Sequence, residues 1–279
     1  MLLTRILTAA VLIPLVLAAL FLLPPRAFGV AVLAVMLVAA HEWARLAKFD
    51  RLRYVLFVAG VLVLGVDLLF YSGFDRGWPD AVVLAVCGTA TLFWAFAATP
   101  WVIFRWPPTS QLALALAGWI VLMGAFVALT ELKARSPWLL LCAMAVVWIA
   151  DTAAYFSGRA FGRHKLAPQV SPGKSWEGVY GALLAVAIYA LALTPLAAAA
   201  GYRGPAGMGA IAAWVAFVLM LAAVSVIGDL FESWMKRAAG MKDSGTILPG
   251  HGGILDRVDA LIAAMPPAAL AAIAFLAKP

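Results

Sequence analysis

Nine stretches of this chain run for about 18 residues or more with no lysine or arginine and at most one carboxylate each. They lie near residues 6–23, 28–44, 54–71, 81–99, 112–130, 137–157, 178–200, 209–231 and 258–277. Runs of that length leave the backbone little choice. In lipid each N–H and C=O must find a partner within the protein, which permits helices or a closed barrel. The ten-residue alternation of barrel strands is absent. The expected fold is therefore all-α, a polytopic membrane protein of about nine helices. Pro100 is expected to close the fourth span, and Pro266-Pro267 to interrupt the ninth. Only 12% of residues are charged, about half the share in soluble domains.

The N-terminal MLLTR and its apolar run resemble a signal peptide. The run is too long for one, and the LLPPR that ends it is no small-residue cleavage site, so it reads as a retained first helix. Cys87 and Cys142 both fall inside apolar spans and read as small hydrophobes rather than a disulfide or metal pair. With nine spans, 14 Lys and Arg fall on one side and 6 on the other. The richer side is expected to face the cytoplasm of a cell (inner) membrane. The net charge of +7 thus reports topology and affinity for an anionic bilayer, with no call for nucleic acid.

Polar residues divide the chain in two. No polar stretch exceeds about thirty residues, too short for a soluble domain. Residues 1–135 hold about five helices with short connections. His41-Glu42 there reads either as functional or as a headgroup-level pair beside Trp43 and Arg45, and Asp67 as a wet interfacial acid. Residues 136–279 hold about four helices and two long polar loops, Asp151–Gly178 and Ser233–Ala260, on the same side. Two such loops on one face point to one site at the cytoplasmic ends of the C-terminal helices.

At 3.6 residues per turn Asp229, Glu232, Ser233, Lys236 and Gly240 share one helix face, as a cavity wall requires. Asp256 and Asp259, three apart, share another face at the start of the last helix. One of the two can serve as an N-terminal acid. Carboxylates from two helices, Asp229 and Asp256, are the hard oxygen ligands that Mg²⁺ takes, with water and substrate phosphate completing its shell. His/Cys spacing for zinc is absent. Glycines at 240, 245, 250, 252 and 253 let backbone N–H groups approach an anion. Lys236, Arg237, Lys242, His251 and Arg257 can offset its charge, as can Arg159, Arg163, Lys165 and Lys174 from the other loop. Neither a Walker A loop nor a GxGxxG fingerprint occurs.

The run SWMKRAAGMKDSGTILPGHGGILDRVD resembles the signature of the phosphatidate cytidylyltransferases, or CDP-diacylglycerol synthases. Ser233, Lys236-Arg237, Lys242-Asp243, His251-Gly252-Gly253 and Asp256-Arg257-Val258-Asp259 fill its positions at the expected spacing. The first loop is similar to the family's other loop through Asp151, Tyr155, Gly158, Phe161-Gly162, Lys165, Ser171-Pro172, Lys174 and Glu177. In the first half the likeness is apolar character and Glu42-Trp43. The resemblance implies Mg-dependent transfer of CMP from CTP to phosphatidic acid, giving CDP-diacylglycerol and pyrophosphate, with a second cation and a homodimer. Asp229, Asp256, Asp259, Lys236, Arg237 and His251 are the expected catalytic set. Ser233, Lys242, Asp243, Gly252, Gly253, Arg257, Asp151, Arg159, Lys165 and Lys174 are the expected substrate contacts. Two alternatives are a CDP-alcohol phosphatidyltransferase, whose paired-aspartate run is missing, and a transporter of an anionic metabolite, for which Pro266-Pro267 and Asp67 are the only pointers.

Overall fold

The computed structural model describes residues 2–106, 110–199, 207–250 and 252–275. It is a helical bundle. The helices are α1 (Leu2–Leu22), α2 (Pro25–Leu46), α3 (Arg51–Tyr71), α4 (Asp80–Phe93), α5 (Thr99–Phe104), α6 (Gln111–Arg135), α7 (Pro137–Phe161), α8 (Trp176–Ala199), α9 (Met208–Ala239) and α10 (Leu255–Phe275). Among the described residues eight helices are long and apolar enough to cross a membrane, with α4 and α5 forming a single span, Asp80–Phe104. α1 contributes a shorter apolar stretch, Ala10–Leu22.

Two proline expectations are corrected. Pro100 does not end the fourth span, because a π-helical turn over Trp94–Ala98 precedes it. In that wider turn the Thr99 N–H bonds Trp94 O, and the Thr99 hydroxyl donates to the same carbonyl at 2.7 Å. The helix can then accept a residue without an N–H. Pro266-Pro267 likewise leave α10 unbroken. Both are buried where α10 packs on α4, α6 and α9, and neighbouring helices make such a break in the ladder tolerable.

The helices alternate in direction, so side chains near alternate ends collect. At one end Glu131, fully buried, accepts from Trp78 N at 2.7 Å and Arg135 Nε at 2.6 Å. Arg135 also donates to Ala272 O at 3.1 Å, which ties α6 to α10. Asp67 is exposed toward that end, in keeping with a wet position. Cys87 is a buried free thiol and Cys142 a half-buried one.

The opposite end gathers the α2–α3 connection, the end of α5, the start of α6 and both polar loops. Arg53 donates to Gln111 at 2.6 Å, and Arg105 to Gln169 at 2.7 Å. Here the structure adds an element that the sequence reading does not contain. The first loop folds into an antiparallel hairpin of β1 (Lys165–Ala167) and β2 (Ser171–Ser175), with Lys165 opposite Ser175 and Ala167 opposite Ser171. Arg237 Nε donates to Val170 O at 3.2 Å, fastening the hairpin turn to α9.

Candidate active site

α9 carries the polar stripe down to this end and stops at Gly240. That residue takes φ +74°, a left-handed cap suited to glycine, and Met241 N bonds back to Lys236 O at 2.8 Å. Residues 241–250 and 252–254 then form a loop that leads into α10. Phe231, Trp234 and Met235, off the stripe, are buried, the first two against Trp101. Gly228 lets α9 lie close on α10, since a methyl there would come within 2.7 Å of Ala263 Cβ.

Lys236 stands at the centre. Its ammonium lies 2.6 Å from Asp256 Oδ1 and also pairs with Glu232 one turn back. The pair is nearly dry, with side chains 12% and 6% exposed for Lys236 and Asp256. Asp256 Oδ2 accepts from Ser244 N at 2.9 Å, Ser244 Oγ at 2.9 Å and Gly253 N at 2.8 Å. That last bond reaches back across the start of α10 as in a capping box. Asp256 is therefore satisfied by four donors, more than the helix-end role that the sequence suggests for one of the two acids.

The second cluster lies beside the first. Lys174, on β2, pairs with Asp229 Oδ2 at 2.6 Å, both sides partly exposed, and Ser233 Oγ donates to Asp229 Oδ1 at 3.3 Å. Asp229 is within electrostatic reach of Asp151 on α7 and Asp259 on α10, and Lys174 within reach of all three. Asp259 is buried and accepts from Ala260 N at 2.7 Å. Its charge is also felt by Glu232, so the two clusters form one network.

The network holds five carboxylates (Asp151, Asp229, Glu232, Asp256, Asp259) against two ammonium groups. The ligands that it could offer an ion are all carboxylate oxygens, which fits a hard cation. Among the described residues no three His, Cys, Asp or Glu side chains converge as a ready-made metal cage. Asp229 and Asp256 do not stand as a free ligand pair either, since each is already held by a lysine. The fit is to an ion that arrives with phosphate oxygens and takes one or two carboxylates from the protein.

The remaining expected residues spread around this core. Lys242, Asp243 and Arg257 are exposed on the loop and at the start of α10. Gly252, at φ +81°, packs against Asp256, where a side chain would collide with Oδ2. Arg159 donates to Tyr155 Oη at 3.2 Å, and Lys165 is exposed on β1. Both stand by the hairpin, and no hydrogen bond or ion pair joins either to the Lys236 cluster among the described residues. His251 lies outside the described residues. His164, not among the expected contacts, bonds Glu177 at 2.7 Å through Nδ1.

For Glu42 the sequence leaves a functional and a headgroup-level role open, and the structure shows what it binds. It is fully buried and accepts from Ser244 Oγ at 3.0 Å, Ile254 N at 3.0 Å and Leu255 N at 2.7 Å. Its neighbour His41 instead bonds Tyr54 Oη at 2.8 Å through Nδ1. The hint available was the place of Glu42-Trp43 in the resemblance.

These features define a polytopic helical membrane protein with a cluster of charged side chains at one end of its bundle. The chain belongs to the cytidylyltransferase family, whose profile matches residues 3–275. It is 40% identical over 282 residues to the phosphatidate cytidylyltransferase of Pseudomonas aeruginosa, covering 95% of each chain. It is 37% identical over 286 residues to that of Haemophilus influenzae, covering 95% of this chain and 96% of the relative. With the phosphatidate cytidylyltransferase of Mycobacterium leprae it shares 32% over 275 residues, 88% and 80% of the two chains. The family assignment favours neither the phosphatidyltransferase nor the transporter alternative.

Proposed function

We propose that the protein transfers CMP from CTP to phosphatidic acid, forming CDP-diacylglycerol and pyrophosphate. The observation that carries this reading is the joined network of Lys236, Asp256, Lys174 and Asp229 beneath the glycine-rich loop. A phosphate oxygen of phosphatidic acid bonds to the α-phosphorus of CTP, and the bond from that phosphorus to the bridging oxygen of pyrophosphate breaks. The nucleophile is already anionic, so no strong general base is called for. What the protein supplies is position and charge.

Lys236, Arg237, Lys242, His251 and Arg257 take the triphosphate in this reading, and Gly252 and Gly253 let the loop backbone come close to it. Ser233 and Asp243 flank them, and Asp259 lies buried behind the cluster. Arg159 and Lys165, apart on the hairpin side, take the phosphatidate headgroup, with Asp151 and Lys174 between the two substrates. A divalent cation, Mg²⁺, would be held by Asp229 and Asp256 and would neutralise charge on the phosphoryl oxygens. The loops face the cytoplasm of the inner membrane, where CTP enters from water while the acyl chains stay in lipid. The resemblance adds a homodimer and a second cation to this reading. Detergent-purified protein tests it: pyrophosphate should leave CTP only when phosphatidic acid is present. Release that ignores the lipid, or none with it, overturns the assignment.

A further inference from the structure

We infer that Glu42 is a positioning residue for nucleotide use, acting from α2 on the loop that leads into α10. The inference rests on the reading that this loop holds CTP. A carboxylate with no solvent exposure is costly unless its oxygens are met by donors. Among the described residues three donors meet Glu42, and all lie within residues 244–255, more than 200 positions away in sequence. Two of them, Ile254 N and Leu255 N, belong to the start of α10, where N–H groups lack helical partners and the helix dipole favours an anion. The third is the hydroxyl of Ser244, itself fully buried.

Ser244 is what couples Glu42 to the charged core. Its Oγ lies 3.0 Å from Glu42 Oε2 and 2.9 Å from Asp256 Oδ2, and its N–H also donates to Asp256. A single hydroxyl hydrogen serves two carboxylates, so the place of Glu42 sets the place of the Ser244 turn and hence the donors around Asp256. Asp256 in turn holds Lys236. The fit is close on both sides. A methyl group at residue 245 or 253 would overlap the Glu42 carboxylate, so glycine at both positions makes room for it. Glu42 thus links the half of the chain without the signature to the geometry of the signature itself.

The test compares Glu42→Gln, Ser244→Ala and the double variant as purified full-length protein in detergent. KM and kcat are measured with CTP and phosphatidic acid varied separately, alongside size-exclusion profiles. A glutamine keeps the shape of Glu42 but replaces one acceptor by a donor, so at least one of the three loop bonds is lost. We expect an unchanged elution profile and a tenfold or greater fall in kcat/KM for CTP. The KM for phosphatidic acid should stay within twofold. Ser244→Ala should show the same selective defect, and the double variant should be no worse than the poorer single one. CTP kinetics within twofold of wild type in Glu42→Gln, equal losses toward both substrates, or additive effects in the double variant would overturn the inference. If Glu42→Gln does not fold, Ser244→Ala decides alone: selective loss toward CTP supports the coupling, and normal CTP kinetics refutes it. An inactive wild type would instead sink the functional reading.

Discussion

The ammonium of Lys236 on α9 lies 2.6 Å from the carboxylate of Asp256 on α10, and it also pairs with Glu232 on its own helix. One cation thus holds two buried acids that would otherwise repel. Lys236→Met should therefore do two things at once. It should reduce turnover at least a hundredfold, and it should destabilise the protein by about 3–5 kcal/mol, the usual consequence of stranding a buried charge. Adding Glu232→Gln should restore part of the stability and none of the activity, read by thermal unfolding in detergent beside the assay.

The two aspartates differ in what they hold, and their amide variants should differ accordingly. Asp229→Asn and Asp256→Asn are each expected to abolish nearly all turnover while the protein still inserts and purifies. Among the described residues Asp229 binds Lys174 and Ser233 alone, and its pair with Lys174 is partly exposed, so its variant should keep wild-type stability. Asp256 organises Ser244, Gly253 and Lys236, so its variant should also unfold at a lower temperature. Removing Mg²⁺ with a chelator should silence the wild type and be reversed by adding the ion back. Near-normal activity of either variant at saturating Mg²⁺ removes that residue from the ligand set.

How much of this was readable beforehand depends on range. The spans were legible because each apolar run is a local property, and so was the stripe from Asp229 to Gly240. Pro100 misled because a π turn is a matter of one extra residue per turn, invisible to composition. The β1–β2 hairpin was missed because strands of three and five residues are too short to show a clear alternation. Glu42 was left undecided for a different reason. A carboxylate at the end of an apolar run looks interfacial until the donors from residues 244–255 are folded onto it. For Asp256, its helix position was readable but its four donors were not, since Ser244 and Lys236 come to it from 12 and 20 residues away.

Substitution of the exposed cations should separate the two substrates. Lys242→Ala should weaken use of CTP by tenfold to a hundredfold, the scale of one charge-assisted hydrogen bond at roughly 1.5–3 kcal/mol. Arg159→Ala and Lys165→Ala should raise the KM for phosphatidic acid instead, because both stand by the hairpin apart from the Lys236 cluster. Initial rates with each substrate varied in turn distinguish the two patterns. Normal specific activity with reduced expression in all three would assign these charges to membrane orientation.

Orientation itself is open to labelling. On a background lacking Cys87 and Cys142, a cysteine at Lys242 or Lys165 should react only after the cytoplasmic membrane is permeabilised. One at Asp75, exposed at the far end of the bundle, should react from outside. External labelling at either loop position contradicts a single cytoplasmic site.

The most direct measurement follows the phosphorus. Purified protein is given phosphatidic acid and Mg²⁺ with CTP labelled at the α-phosphorus in one reaction and at the γ-phosphorus in another. Transfer of CMP predicts that α-label enters the lipid fraction in step with pyrophosphate release, while γ-label remains in water as pyrophosphate. Gamma-label in the lipid, or α-label that stays in water while CTP is consumed, would contradict it.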